Sequence, residues 1–238
     1  MNPLIYAHRG ASAYAPENTM SAFHEAARRY ADGIELDVQM TKDGAIVVMH
    51  DEDVSRTTNS QGLVREKTLK EIKELDAGGW YSRLYVGEKV PTLEEVLTFL
   101  QGNSLRLNIE IKTCSAWYDK ELTRRTVSLV QQSGIKDRVI FSSFEHRSLL
   151  DAKELDDTIP CGLLYVGNLI HPGRYAKAVG AEYIHPCWDN LDRQGVEDCR
   201  ENGIEIHPWT INDPTSRDAM LAFECEHLIT NYPDILYR

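Results

Sequence analysis

The sequence is short of the residues that staple a fold or hold a soft metal. Its five cysteines, Cys114, Cys161, Cys187, Cys199 and Cys225, are odd in number, scattered, and never in a C-x-x-C pair. That argues against a disulfide framework and a zinc knuckle, and reduced thiols in the cytoplasm are the simpler reading. Positive charge is also in deficit, with 26 Lys and Arg against 37 Asp and Glu and a net charge of −11. Such a balance repels a phosphate backbone, so nucleic acid is not an expected partner. A small anion responds to the local field of its site and stays possible. No apolar run approaches the roughly 20 residues of a membrane span. The N-terminal MNPLIYAHRG lacks a basic segment leading into an apolar one, so no signal peptide is expected. Nor does G-x-G-x-x-G follow the first strand, which disfavours a dinucleotide fold.

What is present is an alternation of short apolar strands with amphipathic helices. Strand candidates start near residues 4, 33, 106, 138, 161, 181, 205 and 227. Strand–helix alternation implies right-handed βαβ units and parallel pairing. Eight such strands predict an α/β fold closed as a (β/α)8 barrel, one domain over residues 1–238. Helix starts carry the expected chemistry. Thr68 and Thr92 each precede a glutamate by three residues, and Asp213 precedes Pro214. Residues 51–91 break the rhythm and read as an insertion packed over one end of the barrel. Its segment LDAGGWYSRLYVGEKVP is lid-like, with Trp80, Tyr81 and Tyr85 as possible walls for a small substrate.

Carboxylates sit where a core wants Val and Ile. In GIELDVQMTKDGAIVVMHD (33–51), Glu35 and Asp37 share one strand face, while Ile34, Leu36 and Val38 share the other. The apolar face suits the outer wall beneath helices, which turns both acids into the barrel. Asp and Glu are rarely buried unpaired, and a metal ion would pair them. Lys42-Asp43-Gly44 signals a hairpin. A two-residue loop places His50 opposite Asp37 and a four-residue loop places it opposite Glu35, whereas a three-residue loop breaks that relation. In RLNIEIK (106–112), Asn108, Glu110 and Lys112 repeat the inward pattern. The first strand ends in His8-Arg9, and C-terminal strand ends build barrel active sites. Arg9 suits a phosphate or carboxylate. Glu17 and Asn18 open the following helix, as its caps or as groups orienting His8.

Together HRGASAYAPENT, ELDVQMTKDGAIVVMHD and NIEIK, with the inserted DVSRTTNSQGLVREKTLKEIKELDAGGWY, PTLEEVL, WTIND and ITNYPD, resemble the glycerophosphodiester phosphodiesterases. The likeness is greatest to their compact bacterial cytoplasmic members and spans nearly the whole chain. It implies a (β/α)8 barrel with a small insertion after the HD motif. It also implies a divalent cation, Mg2+ or Ca2+, on Glu35, Asp37 and Glu110; two catalytic histidines, His8 and His50; phosphate-gripping Arg9 and Lys112; and Trp209 as an aromatic wall of the substrate pocket. An all-oxygen shell suits a hard cation rather than zinc. Three carboxylates and one phosphodiester balance a dication and two side-chain cations. The implied reaction is hydrolysis of glycerophosphodiesters, such as glycerophosphocholine and glycerophosphoethanolamine, to sn-glycerol 3-phosphate and an alcohol. Rivals are a lysophospholipase D-like activity, a lyase stopping at a cyclic phosphate, and a barrel that binds phosphodiesters without turnover. The acidic surface opposes stable membrane association. The residues leave open the acid–base order of the histidines, direct water attack against a cyclic intermediate, and the oligomeric state.

Overall fold

The computed structural model describes residues 3–113, 116 and 118–235. Cys114 lies outside the described residues. Among the described residues nine strands and eight α-helices follow in the order β1 (Leu4–His8), α1 (Met20–Arg28), β2 (Gly33–Met40), β3 (Ile46–Val48), α2 (Leu69–Glu74), α3 (Leu93–Gln101), β4 (Arg106–Ile111), α4 (Lys120–Gln132), β5 (Val139–Ser143), α5 (His146–Leu155), β6 (Cys161–Tyr165), α6 (Pro172–Ala178), β7 (Tyr183–Pro186), α7 (Arg193–Asn202), β8 (Glu205–Ile206), α8 (Pro214–Ala222) and β9 (His227–Thr230). The parallel strands run β8-β7-β6-β5-β4-β2-β1-β9, and β3 folds back antiparallel on β2. This is the (β/α)8 barrel the alternation predicts, nearly closed. Between β8 and β9 the strand order has its seam. Two backbone bonds span it, Ile229 N to Pro208 O at 3.0 Å and Ile211 N to Ile229 O at 2.9 Å.

The core lies between the barrel wall and the helices. Ile34, Leu36, Val38, Leu107, Ile109 and Ile111 are wholly buried there with Phe23, Leu93, Leu100 and Val130. Each such side chain contributes about 1.5–3 kcal/mol relative to exposure, so the outward apolar face of β2 and β4 is fixed strongly. Their other faces are thereby committed to the barrel interior. Helix starts follow their caps. Thr68 and Thr92 form reciprocal capping boxes with Glu71 and Glu95, and Asp213 caps α8 ahead of Pro214. α1 starts three residues later than residue 17, because Thr19 is its cap and accepts from Ala22 N.

Residues 51–91 carry a small apolar cluster of their own, in which Val54, Val64, Ile72 and Val90 pack on Val47 and Met49. The aromatic residues of this segment do not wall the cleft described below. Tyr81 and Tyr85 donate their hydroxyls to the carbonyls of Ala13 and Tyr14, and Trp80 donates to Ala77 O. The two tyrosine hydroxyls are spent tying the segment to the turn after β1, and the indole N–H is spent within the segment.

Candidate active site

Strand register stacks the inward polar residues in layers. His8 pairs with Glu35 and Glu35 with Asn108; one pleat on, Asp37 pairs with Glu110 and Glu110 with Ser142. Glu35, Asp37 and Glu110 are buried, and oxygens from all three lie within 4.8 Å of one another. Arg9 takes a left-handed backbone, φ 55°, and is followed by Gly10 at φ 78°. A Cβ on Gly10 would stand 2.6 Å from that of Ala22, so only glycine lets this turn close onto α1. The turn aims Arg9 N–H at Glu35 Oε2, 2.9 Å away, and sets its guanidinium Nε 3.5 Å from Asp37 Oδ2. Lys112 Nζ lies 2.7 Å from Glu110 Oε1 and 3.7 Å from Asp37 Oδ1.

Three carboxylates against two cations leave this cluster electrostatically unsatisfied. Burial, then repulsion from Asp37 and Glu110, pushes the Glu35 carboxyl well above the usual range. Burial and Asp37 push Glu110 up to about 7. Burial would raise Asp37 too, but Lys112 and Arg9 outweigh it and hold its carboxyl below the ordinary value. Asp37 Oδ1 and Asn108 Oδ1 are buried without a hydrogen-bond partner. An orphaned carboxylate oxygen among three converging acids is the donor set of a hard divalent cation, and the residues fit one.

Both histidines reach the same cleft by different routes. His8 ends β1, and its Nδ1–H donates to Asn231 Oδ1 at 2.7 Å. Burial and the neighbouring Arg9 push its imidazole down to about 4. His50 arrives through a register that neither expected loop length gives. Met40 pairs with Ile46, and Thr41 N donates to Ala45 O, so the hairpin loop is the three residues Lys42–Gly44, closed by Gly44 at φ 85°. Continued ladder pairing would set His50 against Leu36, away from the acids. The ladder instead ends at Val48. Gln39 Nε2 then gathers the carbonyls of Met49, His50 and Asp51 at 3.0, 3.1 and 2.6 Å, which turns the chain inward. His50 Nδ1–H donates to Asp51 Oδ1 at 2.5 Å. Burial outweighs the pull of Asp37 and leaves the His50 imidazole below its ordinary value. With both Nδ1 atoms engaged by oxygen acceptors, each histidine keeps Nε2 as a free lone pair.

Glu17 and Asn18 neither cap α1 nor orient His8. Glu17 accepts from Arg9 Nη1 at 2.8 Å, and Asn18 Nδ2 donates to Asp37 Oδ2 at 2.8 Å. Arg56 bridges Glu17 and Asp51, with four contacts of 2.5 to 3.1 Å. An unbroken polar chain, His50–Asp51–Arg56–Glu17–Arg9, thus ties one histidine to the arginine that follows the other. Asp51, Arg56 and Asn231 went unsingled in the sequence, although all three stand inside quoted motifs, beside His50, in SRTTN and in ITNYPD.

The cleft has a volume of about 160 Å³. His8, Arg9, Glu35, His50, Asn108 and Glu110 line its polar side, and Phe144, Leu164, Trp209 and Ile229 its apolar side. Trp209 stands edge-on to Phe144 at 5.8 Å, held by Nε1 donation to His185 O at 2.8 Å. Lys112 follows Glu110 toward the mouth of the barrel, with its Nζ 6.0 Å from the centre of the Phe144 ring.

Residues 8–235 match the model of the Glycerophosphoryl diester phosphodiesterase family. The chain belongs to this family. Among curated relatives, it is 41% identical to a glycerophosphodiester phosphodiesterase of Caldanaerobacter subterraneus subsp. tengcongensis, over 99% of this chain and 97% of the relative. Among solved structures, it resembles an Oleispira antarctica phosphodiesterase in complex with the product sn-glycerol-3-phosphate. That match has a TM-score of 0.92 at 31% identity and covers 97% and 94% of the two chains. A glycerophosphodiester phosphodiesterase from Agrobacterium tumefaciens superposes with TM-score 0.85 at 29% identity, covering 98% of each chain. Family membership makes the chain an enzyme of phosphodiester chemistry.

Proposed function

We propose that this chain hydrolyses glycerophosphodiesters to sn-glycerol 3-phosphate and an alcohol, with a divalent cation bound by Glu35, Asp37 and Glu110. The observation that carries the reading is one cleft holding two imidazoles with free Nε2 atoms beside three converging carboxylates and Arg9. The product named in the Oleispira complex supports the same substrate class. When bound, the cation supplies Lewis-acid polarisation of a phosphate oxygen. Its ligand set favours Mg2+ or Ca2+.

The residues divide the remaining work. Arg9 stabilises charge growing on the phosphoryl oxygens. Lys112 neutralises Glu110 and Asp37, and contributes positive field toward the phosphate. His50 is backed by a carboxylate, which favours its imidazolium, so we assign it as the base that takes the proton of the attacking hydroxyl. His8 is backed by the neutral Asn231 amide, beside Arg9. Its imidazolium is a strong acid, suited to protonate the departing alkoxide. The phosphodiester anion supplies the charge that lets His8 take up a proton. We assign the alcohol to the apolar side of the cleft, bounded among the described residues by Phe144, Leu164, Trp209 and Ile229, so that end is read loosely. Four cysteines among the described residues are free, which fits a reducing compartment, and we place the reaction in the cytoplasm.

The deciding experiment incubates EDTA-treated protein with glycerophosphocholine, with and without added Mg2+ or Ca2+, and assays glycerol 3-phosphate. Product only with metal is expected. Full turnover without metal would remove the cation from the reading, and no glycerol 3-phosphate under any condition would remove the reading itself. One observation favours a second substrate class. Val166 and Ile170 follow β6 two and six residues beyond the cleft-lining Leu164, and are 70% and 72% exposed. An acyl chain could lie across them. A higher kcat/KM for lysophosphatidylcholine than for glycerophosphocholine, below micelle-forming concentrations, would move the enzyme to a lysophospholipase D reading.

A further inference from the structure

We propose a second cation site, formed by Glu205, His207 and His227, that takes a borderline transition-metal ion such as Zn2+ and clamps the barrel seam at the end opposite the catalytic cleft. Glu205 opens β8 and His227 opens β9. Parallel strands put their first residues at the N-terminal mouth, whereas the cleft sits at the C-terminal ends of β1, β2 and β4. These two strands flank the seam, where neither has the other as a ladder partner. The two backbone bonds across it, at Ile229, lie nearer the cleft end. At the N-terminal mouth Ile206 N–H finds a side chain instead, Glu226 Oε2 at 3.0 Å. A shared ion would supply the missing tie.

The donors are already gathered. Ligand atoms of the three residues lie within 4.8 Å of one another. His207 Nε2 and Glu205 Oε2 are 3.4 Å apart, close to the ~3.3 Å edge of a tetrahedron with bonds of about 2.0–2.1 Å. His207 and His227 are 1% and 6% exposed, and His227 Nδ1 is buried without any partner. The two rings stack at 3.7 Å with 26° between planes, so their in-plane lone pairs run side by side and capture of an ion turns one ring toward the other.

His207 also has the outer partner that a metal-bound imidazole needs to fix its tautomer. Its Nδ1 lies 3.1 Å from His185 Nε2. Without an ion both contacts are met when His207 Nε2–H donates to Glu205 and His185 Nε2–H donates to His207 Nδ1; an ion on Nε2 replaces that proton and turns the pair round, so that Nδ1–H donates to His185 Nε2. Gly162 makes room for His185, since a Cβ there would stand 2.3 Å from its Nε2. The route in is a solvent-connected cavity lined by Glu205, Glu224, Glu226 and a single arginine, Arg106, a net negative field. Two imidazoles and one carboxylate suit Zn2+, whereas the all-oxygen trio in the cleft suits Mg2+ or Ca2+. The two sites thus sort their ions by donor softness.

The test titrates Zn2+ into EDTA-stripped full-length protein held in excess Mg2+, by calorimetry and by thermal unfolding. We expect one equivalent of Zn2+ to bind and raise Tm. Glu205→Gln and His227→Ala should each weaken binding tenfold or more and abolish the Tm shift, while leaving Mg2+-supported hydrolysis near wild type. Glu35→Gln should keep Zn2+ binding intact. Absence of a Zn2+ isotherm in wild type overturns the proposal, as does binding that survives Glu205→Gln or disappears in Glu35→Gln. Glu205 is half exposed, so its variant retains the fold even if His227→Ala does not.

Discussion

Nδ1 of His8 faces an amide and Nδ1 of His50 faces a carboxylate, the difference on which the proposed division of acid and base rests. Replacement of either by Ala is expected to lower kcat about 100-fold or more, the usual scale for a proton-transfer group. The double variant should lose far less than the product of the two losses, since both act on one reaction. Asp51→Asn keeps the shape and removes the charge, so kcat should fall tenfold or more with KM little changed. Near-normal kcat in His50→Ala would show that the chain turn at Gln39 does not deliver a catalytic group. The acid trio makes a second expectation. In metal-free protein the Glu110 carboxyl titrates at about 7 instead of its ordinary 4.5. The folded state therefore binds more protons than the unfolded state between these values, and stability falls as pH rises through that window. Tm of EDTA-treated protein should drop from pH 4.5 toward 7. Glu110→Gln should flatten that drop, and so should Mg2+. A wild-type profile that overlays the Glu110→Gln profile without metal would refute the raised carboxyl.

The hairpin of β2 and β3 shows what an element can and cannot say for itself. Its turn signal was legible in Lys42-Asp43-Gly44, but its loop length was not. Thr41 Oγ1 accepts from Ala45 N at 2.9 Å and bonds Asp43 Oδ1 at 2.7 Å, which stabilises a three-residue loop over its two- and four-residue rivals. His50 is rescued from the wrong face by the Gln39 amide, the device that redirects the chain after Val48. Gln39→Leu, similar in size but without donors, should leave the circular dichroism spectrum unchanged and lower kcat at least tenfold. Unchanged kcat would mean that the HD segment holds its path without Gln39.

Across the whole molecule, apolar outer faces and polar inner faces divide the strands into a packing side and a chemical side. The same burial silences the thiols. Desolvation pushes Cys161, Cys199 and Cys225 up to about 12. These three are expected to resist a thiol-disulfide reagent at pH 8 in native protein and to react on unfolding, read by mass spectrometry of labelled peptides. Fast labelling of any of the three in the folded state would place it outside the core.

Strand starts, helix caps and the inward turn of Glu35, Asp37, Asn108 and Glu110 were all decided within the sequence, because pleat period and capping are local. An acid two residues from an acid on an apolar strand has one face to choose, and neighbouring Ile and Leu choose it. The partners of those residues were decided only by tertiary structure. Asn231 meets His8 across 223 positions of chain, and Arg56 meets Glu17 across 39. Glu17 and Asn18 serve Arg9 and Asp37 rather than His8, and Asn18 N–H is held on Arg9 O at 2.9 Å. The imidazoles of His207 and His227 come together for a similar reason: closing the barrel brings the last strand back beside the one before it, and no local pattern encodes that meeting.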